Sequence, residues 1–340
     1  MMSSRKKSLL LVLLLPVLLS LGGCPCGFDC SSDSDNDNSP ASLSLGFSDA
    51  SVEDLTQVVI EVDSISFRRS GEDDVVVDTF TIPDLDLVDA DTFQIDLLEY
   101  RGRQQLLVIE NLELPVGTYS SVRLTLVDGD LNFSFVEESG GEVKVLNGPA
   151  SELILPGMAL GSGDEHFTVE FSLAQAMRYI TGSDTYLLSS EGVRVQDNAT
   201  SASLTGRVES DLFDLGETCD AKTDPLVGNR VYLYEGTALP EGSLSDVHTS
   251  NSGNAVPDEV VAPFAVAALV ENTLTGSWEY ALGFLPAGDY TLALACDAGD
   301  DHPIDYDGTV VPLPTGQLYE IKLSSLEQAN CDLAESASCN

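Results

Sequence analysis

Apolar residues recur at every second position from Ser42 to about Thr200. Val58, Ile60 and Val62 alternate with Val59, Glu61 and Asp63, and Val122, Leu124 and Leu126 alternate with Arg123 and Thr125. Leu131, Phe133 and Phe135 read the same way, as do Phe167, Val169, Phe171 and Leu173. A period of two buries one face of a strand and solvates the other. Turn signals separate these runs at Ser70-Gly71, Asp128-Gly129, Gly140-Gly141 and Asn147-Gly148-Pro149. Only Leu173 to Ile180 reads as a helix. A second series begins near Ser203, with strands expected over 204–208, 230–236, 276–285 and 291–296. The alanine- and valine-rich run Val260 to Val270 is too short to span a bilayer and contains Pro263, which predicts a buried strand. The polar tail from Ser324 carries a helical turn at Leu326 to Ala329 in this reading. The fold class is all-β: two tandem antiparallel sandwiches, over 42–200 and 201–324, followed by a tail over 325–340.

Upstream the pattern changes. Arg5, Lys6 and Lys7 precede an apolar run from Leu9 to Leu21, broken only by Pro16 and Ser20. A spanning helix needs roughly 20 apolar residues, so this shorter run reads as a secretory signal peptide over 1–23. Leu21-Gly22-Gly23-Cys24 resembles the lipobox of bacterial lipoproteins. That resemblance implies cleavage between Gly23 and Cys24, a diacylglyceryl group on Cys24 and acylation of the new amino terminus. Two or more chains, at about 0.8 kcal/mol per buried methylene, anchor firmly where one does not. Pro25 stands where an aspartate would argue for retention at the inner membrane of a Gram-negative cell, which favours the outer membrane. Residues 24–41 include Ser31 to Pro40, polar, acidic and without an apolar residue, and predict a disordered tether reaching at most about 60 Å.

The chain carries 56 acidic against 15 basic residues, a formal charge of −41. Nucleic acid is excluded as a partner, because counterion release needs basic residues that are missing here. Seven cysteines less Cys24 leave an even number for an oxidising compartment. They fall into local sets, read as Cys26 with Cys30, Cys219 with Cys296, and Cys331 with Cys339, among the 15 pairings that six cysteines permit.

Two further resemblances follow from the order of motifs. Leu43-Ser44-Leu45-Gly46-Phe47-Ser48-Asp49-Ala50, the strand through Val58 to Phe67, Leu114-Pro115-Val116-Gly117-Thr118-Tyr119 and the closing Glu191-Gly192-Val193-Arg194-Val195 are together similar to the bacterial lipoprotein domain of unknown function numbered 4382. Ser51 replaces the proline common after the Asp-Ala pair. The resemblance implies an exported, membrane-attached β domain and supplies no catalytic residue. In the second half, Leu285-Pro286-Ala287-Gly288-Asp289-Tyr290 between two strands resembles the corner of transthyretin-like or carboxypeptidase-regulatory-like sandwiches. Gly288 is expected at the positive φ of a type II turn, with Tyr290 packing back. Leu114-Pro115-x-Gly117-x-Tyr119 repeats the device.

Catalytic patterns are missing from the sequence: G-x-S-x-G, H-E-x-x-H, the phosphate-cradling loop and the dinucleotide fingerprint do not occur. The expected function is a non-enzymatic binding, adhesion or scaffolding role at the cell envelope, with an envelope protein or a glycan as partner and no required cofactor. Trp278 and Tyr234 could present a sugar-binding face, although their strand spacing places them in the core. The alternatives are a cryptic or accessory hydrolase using His166 or His302, and a calcium-stabilised glycan-binding module. For the latter the candidate ligands are Asp297, Asp300, Asp301, Asp305 and Asp307, clustered after Cys296.

Overall fold

A computed structural model describes residues 40–50, 52–213, 219, 222, 224–334 and 339. The leader, Gly23, Cys24, the tether up to Ser39, Cys26, Cys30 and Ser51 lie outside the described residues, and Ala41, expected in the tether, instead opens a strand and is buried.

The first sandwich faces a four-stranded sheet against a larger, nine-stranded one. The smaller sheet runs Val193–Asp197, Gly163–Ser172, Ala41–Ala50, Leu106–Leu114. Its centre is a parallel pair, Ala41–Ala50 on Gly163–Ser172, inside otherwise antiparallel ladders. The larger sheet is built around Leu55–Arg68, which pairs with Gly117–Val127 and Phe135–Glu138. Leu43, Leu45, Phe47, Ile60, Val62, Leu124, Val169 and Phe171 fill the space between the sheets, each fully buried. These are the residues whose alternation marks the strands.

A second sandwich pairs the sheet Val270–Asn272, Ser277–Leu285, Ala202–Val208, Gln328–Asn330 with the sheet Ala265–Ala268, Arg230–Glu235, Gly288–Ala295, Leu318–Leu323. Cys219 is bonded to Cys296, and Cys331 to Cys339. The Val260 to Val270 run holds the fully buried strand Ala265–Ala268.

Both tyrosine corners share one hydrogen bond, although Gly117 takes a φ of 140° and Gly288 does not take a positive one. Tyr290 donates its hydroxyl proton to the Pro286 carbonyl at 2.8 Å, and Tyr119 to the Pro115 carbonyl at 3.0 Å. The expectation for Gly288 is corrected, since it does not take a positive φ. A β-carbon there would press on the Tyr290 ring at 3.2 Å, so the glycine makes room for the aromatic. Tyr290→Phe leaves the carbonyl of Pro286 without this donor and should cost about 1–2 kcal/mol in urea unfolding. An unchanged midpoint would show that the corner contributes packing alone.

Three local expectations are overturned. The helix covers only Leu173–Ala176, and Met177–Ile180 continues as a strand paired with Thr185–Leu188. Leu131 and Phe133 are exposed at 46% and 37%, because Asp130 caps a turn there by accepting the Asn132 amide at 2.9 Å. Leu326 takes a left-handed φ of 64°, which stops a helix, and Gln328–Asn330 joins Ala202–Val208 as a parallel strand.

The two sandwiches meet over a buried polar face. On the Ala41–Ala50 and Gly163–Ser172 strands, Ser48, Thr168, Glu170 and Ser172 are as inaccessible as the apolar residues between them. Ser172 Oγ donates to the Val266 carbonyl at 3.3 Å, and Gln175 Nε2 to the Pro263 carbonyl at 3.2 Å. Glu53 accepts from Arg230 Nε at 3.2 Å and from the Gly228 amide at 2.7 Å. Gly283 lies directly on the backbone of Gly102.

Candidate functional site

Two loops of the second sandwich bring together a constellation of ionisable groups. One follows Cys296 and the other contains Leu244 to Asn254. They are zipped together by backbone and side-chain bonds: Thr249 N to Ile304 O at 2.9 Å, Gly253 N to Asp305 Oδ1 at 2.6 Å, and Asn254 Nδ2 to Tyr306 O at 2.8 Å. The Cys219–Cys296 bond and the strand ending at Ala295 fix where the second loop starts.

At the centre the carboxyl oxygens of Asp246, Asp301 and Asp307 come within 4.8 Å of one another. Asp246 is wholly inaccessible, and its Oδ2 accepts the amides of Asp307, Gly308 and Thr309 at 3.0, 2.6 and 2.9 Å. Its buried Oδ1 has no hydrogen-bond donor. Asp301, 5% exposed, accepts the Tyr232 hydroxyl at 2.6 Å and the Val247 amide at 3.2 Å. Asp307 is exposed and accepts the His302 amide at 2.9 Å and the Thr309 hydroxyl at 2.7 Å.

Burial and mutual repulsion govern the charges. Loss of hydration pushes Asp301 up to about 7, against the Tyr232 hydroxyl and Arg230, which favour its ionised form. Desolvation, followed by contact with the Asp307 carboxyl, raises Asp246 to about 6. Asp307 is held below its ordinary range: desolvation opposes this, but hydrogen bonds from Thr309 and contact with Asp246 outweigh it.

Of the five sequence-predicted ligands, the structure brings together Asp301 and Asp307. Asp305 caps Gly253, whereas Asp297 and Asp300 are exposed outside the cluster. Asp246 escaped the sequence reading because it lies on the other loop. Its one signal is an acid set between the apolar Leu244 and Val247.

The histidines have separate surroundings. His166 is exposed at a strand start. His302 Nδ1 accepts the amides of Ile304 and Asp305 at 3.3 and 2.9 Å. At His248, Ser245 Oγ and Asp246 Oδ1 both face Nδ1, at 3.3 and 3.8 Å. A hydrolytic triad needs its serine and its acid on opposite ring nitrogens, so this arrangement is not one. Tyr234 is buried and donates to the Ser245 carbonyl at 2.7 Å, and Trp278 packs half-buried against Phe213. Neither offers an open ring face for a sugar.

Beside the cluster, a groove of about 400 Å³ runs between the sandwiches, lined by Glu53, Leu173, Arg178, Tyr179, Asp300 and His302 among others.

Residues 40–190 match the domain of unknown function DUF4382. The DUF4382 region is thus the first sandwich up to the strand Thr185–Leu188. No curated protein matches the chain. Solved structures with some likeness include a leucine-rich repeat protein from Bacteroides thetaiotaomicron, 11% identical, TM-score 0.20, covering 87% of this chain and 26% of that one. A cell-adhesion candidate from Bacteroides fragilis is 10% identical, TM-score 0.21, with 86% and 92% covered. GBS52, the minor pilin of Streptococcus agalactiae, is 13% identical, TM-score 0.17, with 88% and 97% covered. This chain spans about a quarter of the leucine-rich repeat protein. Among the described residues, no helix is long and apolar enough to cross a membrane.

Proposed function

We propose that this protein is a lipid-anchored fixture of the bacterial envelope with a non-enzymatic binding, adhesion or scaffolding role. The observation that carries this reading is the buried joint between the sandwiches. Through Glu53–Arg230, Ser172–Val266 and the contact of Gly102 with Gly283, it makes one stiff body of both β units. A stiff body on an acidic tether holds a surface at a distance from a membrane, which is what adhesion or scaffolding requires. The Leu21 to Cys24 lipobox supplies the anchor, and the second sandwich is read as transthyretin-like on the strength of its Leu285 to Tyr290 corner. A surrounding charge of −41 keeps such a body soluble and off anionic headgroups.

The test is expression of the full chain and of Cys24→Ser in a Gram-negative host. The wild type should sediment with membranes and show an acylated amino-terminal peptide by mass spectrometry, and the variant should do neither. Binding is then scored on a glycan array and by crosslinking to envelope proteins. Ester, peptide or glycoside turnover lost on His166→Ala or His302→Ala would overturn the non-enzymatic reading.

A further inference from the structure

We propose that Asp246, Asp301 and Asp307 form a calcium site that clamps the two loops of the second sandwich together. Three carboxylates within 4.8 Å are spaced as ligands around one ion, whose calcium–oxygen distances are about 2.3–2.6 Å. Proximity of acids alone would carry nothing. The independent observation is Asp246 Oδ1, an oxygen on a side chain with no accessible surface and no donor. Three amides occupy Oδ2, so Oδ1 is what Asp246 has left to give the cluster. A buried carboxylate oxygen without a partner is costly, and a cation is the partner that suits it.

Neighbouring cations do not fill that role. Arg230 acts on Asp301 but hydrogen-bonds Glu53 and the Gly299 carbonyl and none of the three carboxylates, its Nη1 having no partner, and His248 Nδ1 stands 3.8 Å from the free oxygen. The donor set is all oxygen, which selects a hard cation over zinc or copper. Both contributing segments are loops, able to adjust to the irregular seven- or eight-fold shell of calcium, whereas magnesium demands near-octahedral geometry. Exposed Asp307 opens the cluster to solvent and gives the ion a way in. This inference is independent of the binding role proposed above, because a structural ion serves any function the fold has.

Calorimetric titration of the chelator-treated mature protein with calcium chloride tests the proposal, with magnesium chloride as comparison. A single saturable calcium site is expected, and a melting temperature that rises on calcium addition and falls on chelation. Asp307→Asn, at an exposed position that should fold, is expected to weaken affinity about tenfold or more, since ligand charge sets calcium affinity. Asp246→Asn should do the same, and Asp297→Asn should leave affinity unchanged. The proposal is overturned by an absence of heat and melting shift in the wild type. Undiminished affinity in Asp307→Asn, equal affinity for magnesium, or dependence on Asp297 would each overturn it as well.

Discussion

Gly283→Val should lower stability by about 3 kcal/mol or more, the upper range for overpacking a tight contact. A β-carbon on Gly283 would overlap the carbonyl oxygen of Gly102, and neither partner can yield as a flexible side chain could. Gly283 belongs to the Ser277–Leu285 strand of the second sandwich, and Gly102 to the turn that follows Tyr100 in the first. The substitution therefore acts on the joint, leaving the interior of each sandwich intact. Gly242→Ala is the matched control, because a β-carbon there meets nothing within 4 Å. Urea unfolding should show a large fall in midpoint for Gly283→Val and almost none for Gly242→Ala. Equal midpoints would mean that the sandwiches do not press together at this point.

Glu170→Gln should stabilise the protein above pH 8 and flatten its stability between pH 5 and 8. Glu170 has no accessible surface, neither of its carboxylate oxygens has a hydrogen-bond partner, and burial pushes it up to about 8. Arg194 beside it lowers this value and Ser48 lies next to it across the strand pair. Asp49, also fully buried and raised mainly by desolvation, repels it, with Arg101 acting on Asp49 in the opposite sense. From the second sandwich, Phe264 stacks on the Arg194 guanidinium at 5.0 Å, and Tyr290 is the ionisable group that faces it. The sign follows from proton counts. Between about 4.5 and 8 the folded state holds a proton on Glu170 that the unfolded chain has released, so stability falls as pH rises through that window. The fall can reach the order of several kcal/mol, at 1.36 kcal/mol per unit. Unfolding free energies at pH 5.5, 7 and 9 decide it, since other acids titrate in both proteins and only the difference belongs to Glu170. Parallel profiles for wild type and variant would remove Glu170 from the account.

What the sequence made legible was local. Period-two alternation located strands that fill the first core, through Ile60, Val62, Leu124, Val169 and Phe171. The two corners were readable from Leu-Pro-x-Gly-x-Tyr as places where the tyrosine packs back, although the turn expected at Gly288 was not the one formed. The joint between the sandwiches was not readable. Ser48, Thr168 and Glu170 alternate with apolar residues just as solvated positions do, yet all three are inaccessible, Thr168 through Gln105 and Asn198 and Ser48 through the Tyr100 carbonyl. Alternation separates two faces of a strand and does not say whether water or another sheet lies over the polar one. Asp246 was hidden for a related reason, since only the tertiary zipping of two loops carries it to Asp301. Leu131 and Phe133 misled in the opposite direction, because the Asp130 cap fixed a turn that hydrophobic spacing alone does not register.

Differential scanning calorimetry of the protein tests the central claim, that the two sandwiches act as one stiff body. A joint built from Glu53–Arg230, Gly102–Gly283 and the buried Glu170 face predicts one cooperative transition, with calorimetric and van't Hoff enthalpies in a ratio near ~1. Two resolved transitions, with the second matching that of a fragment containing residues 201–340 alone, would contradict it.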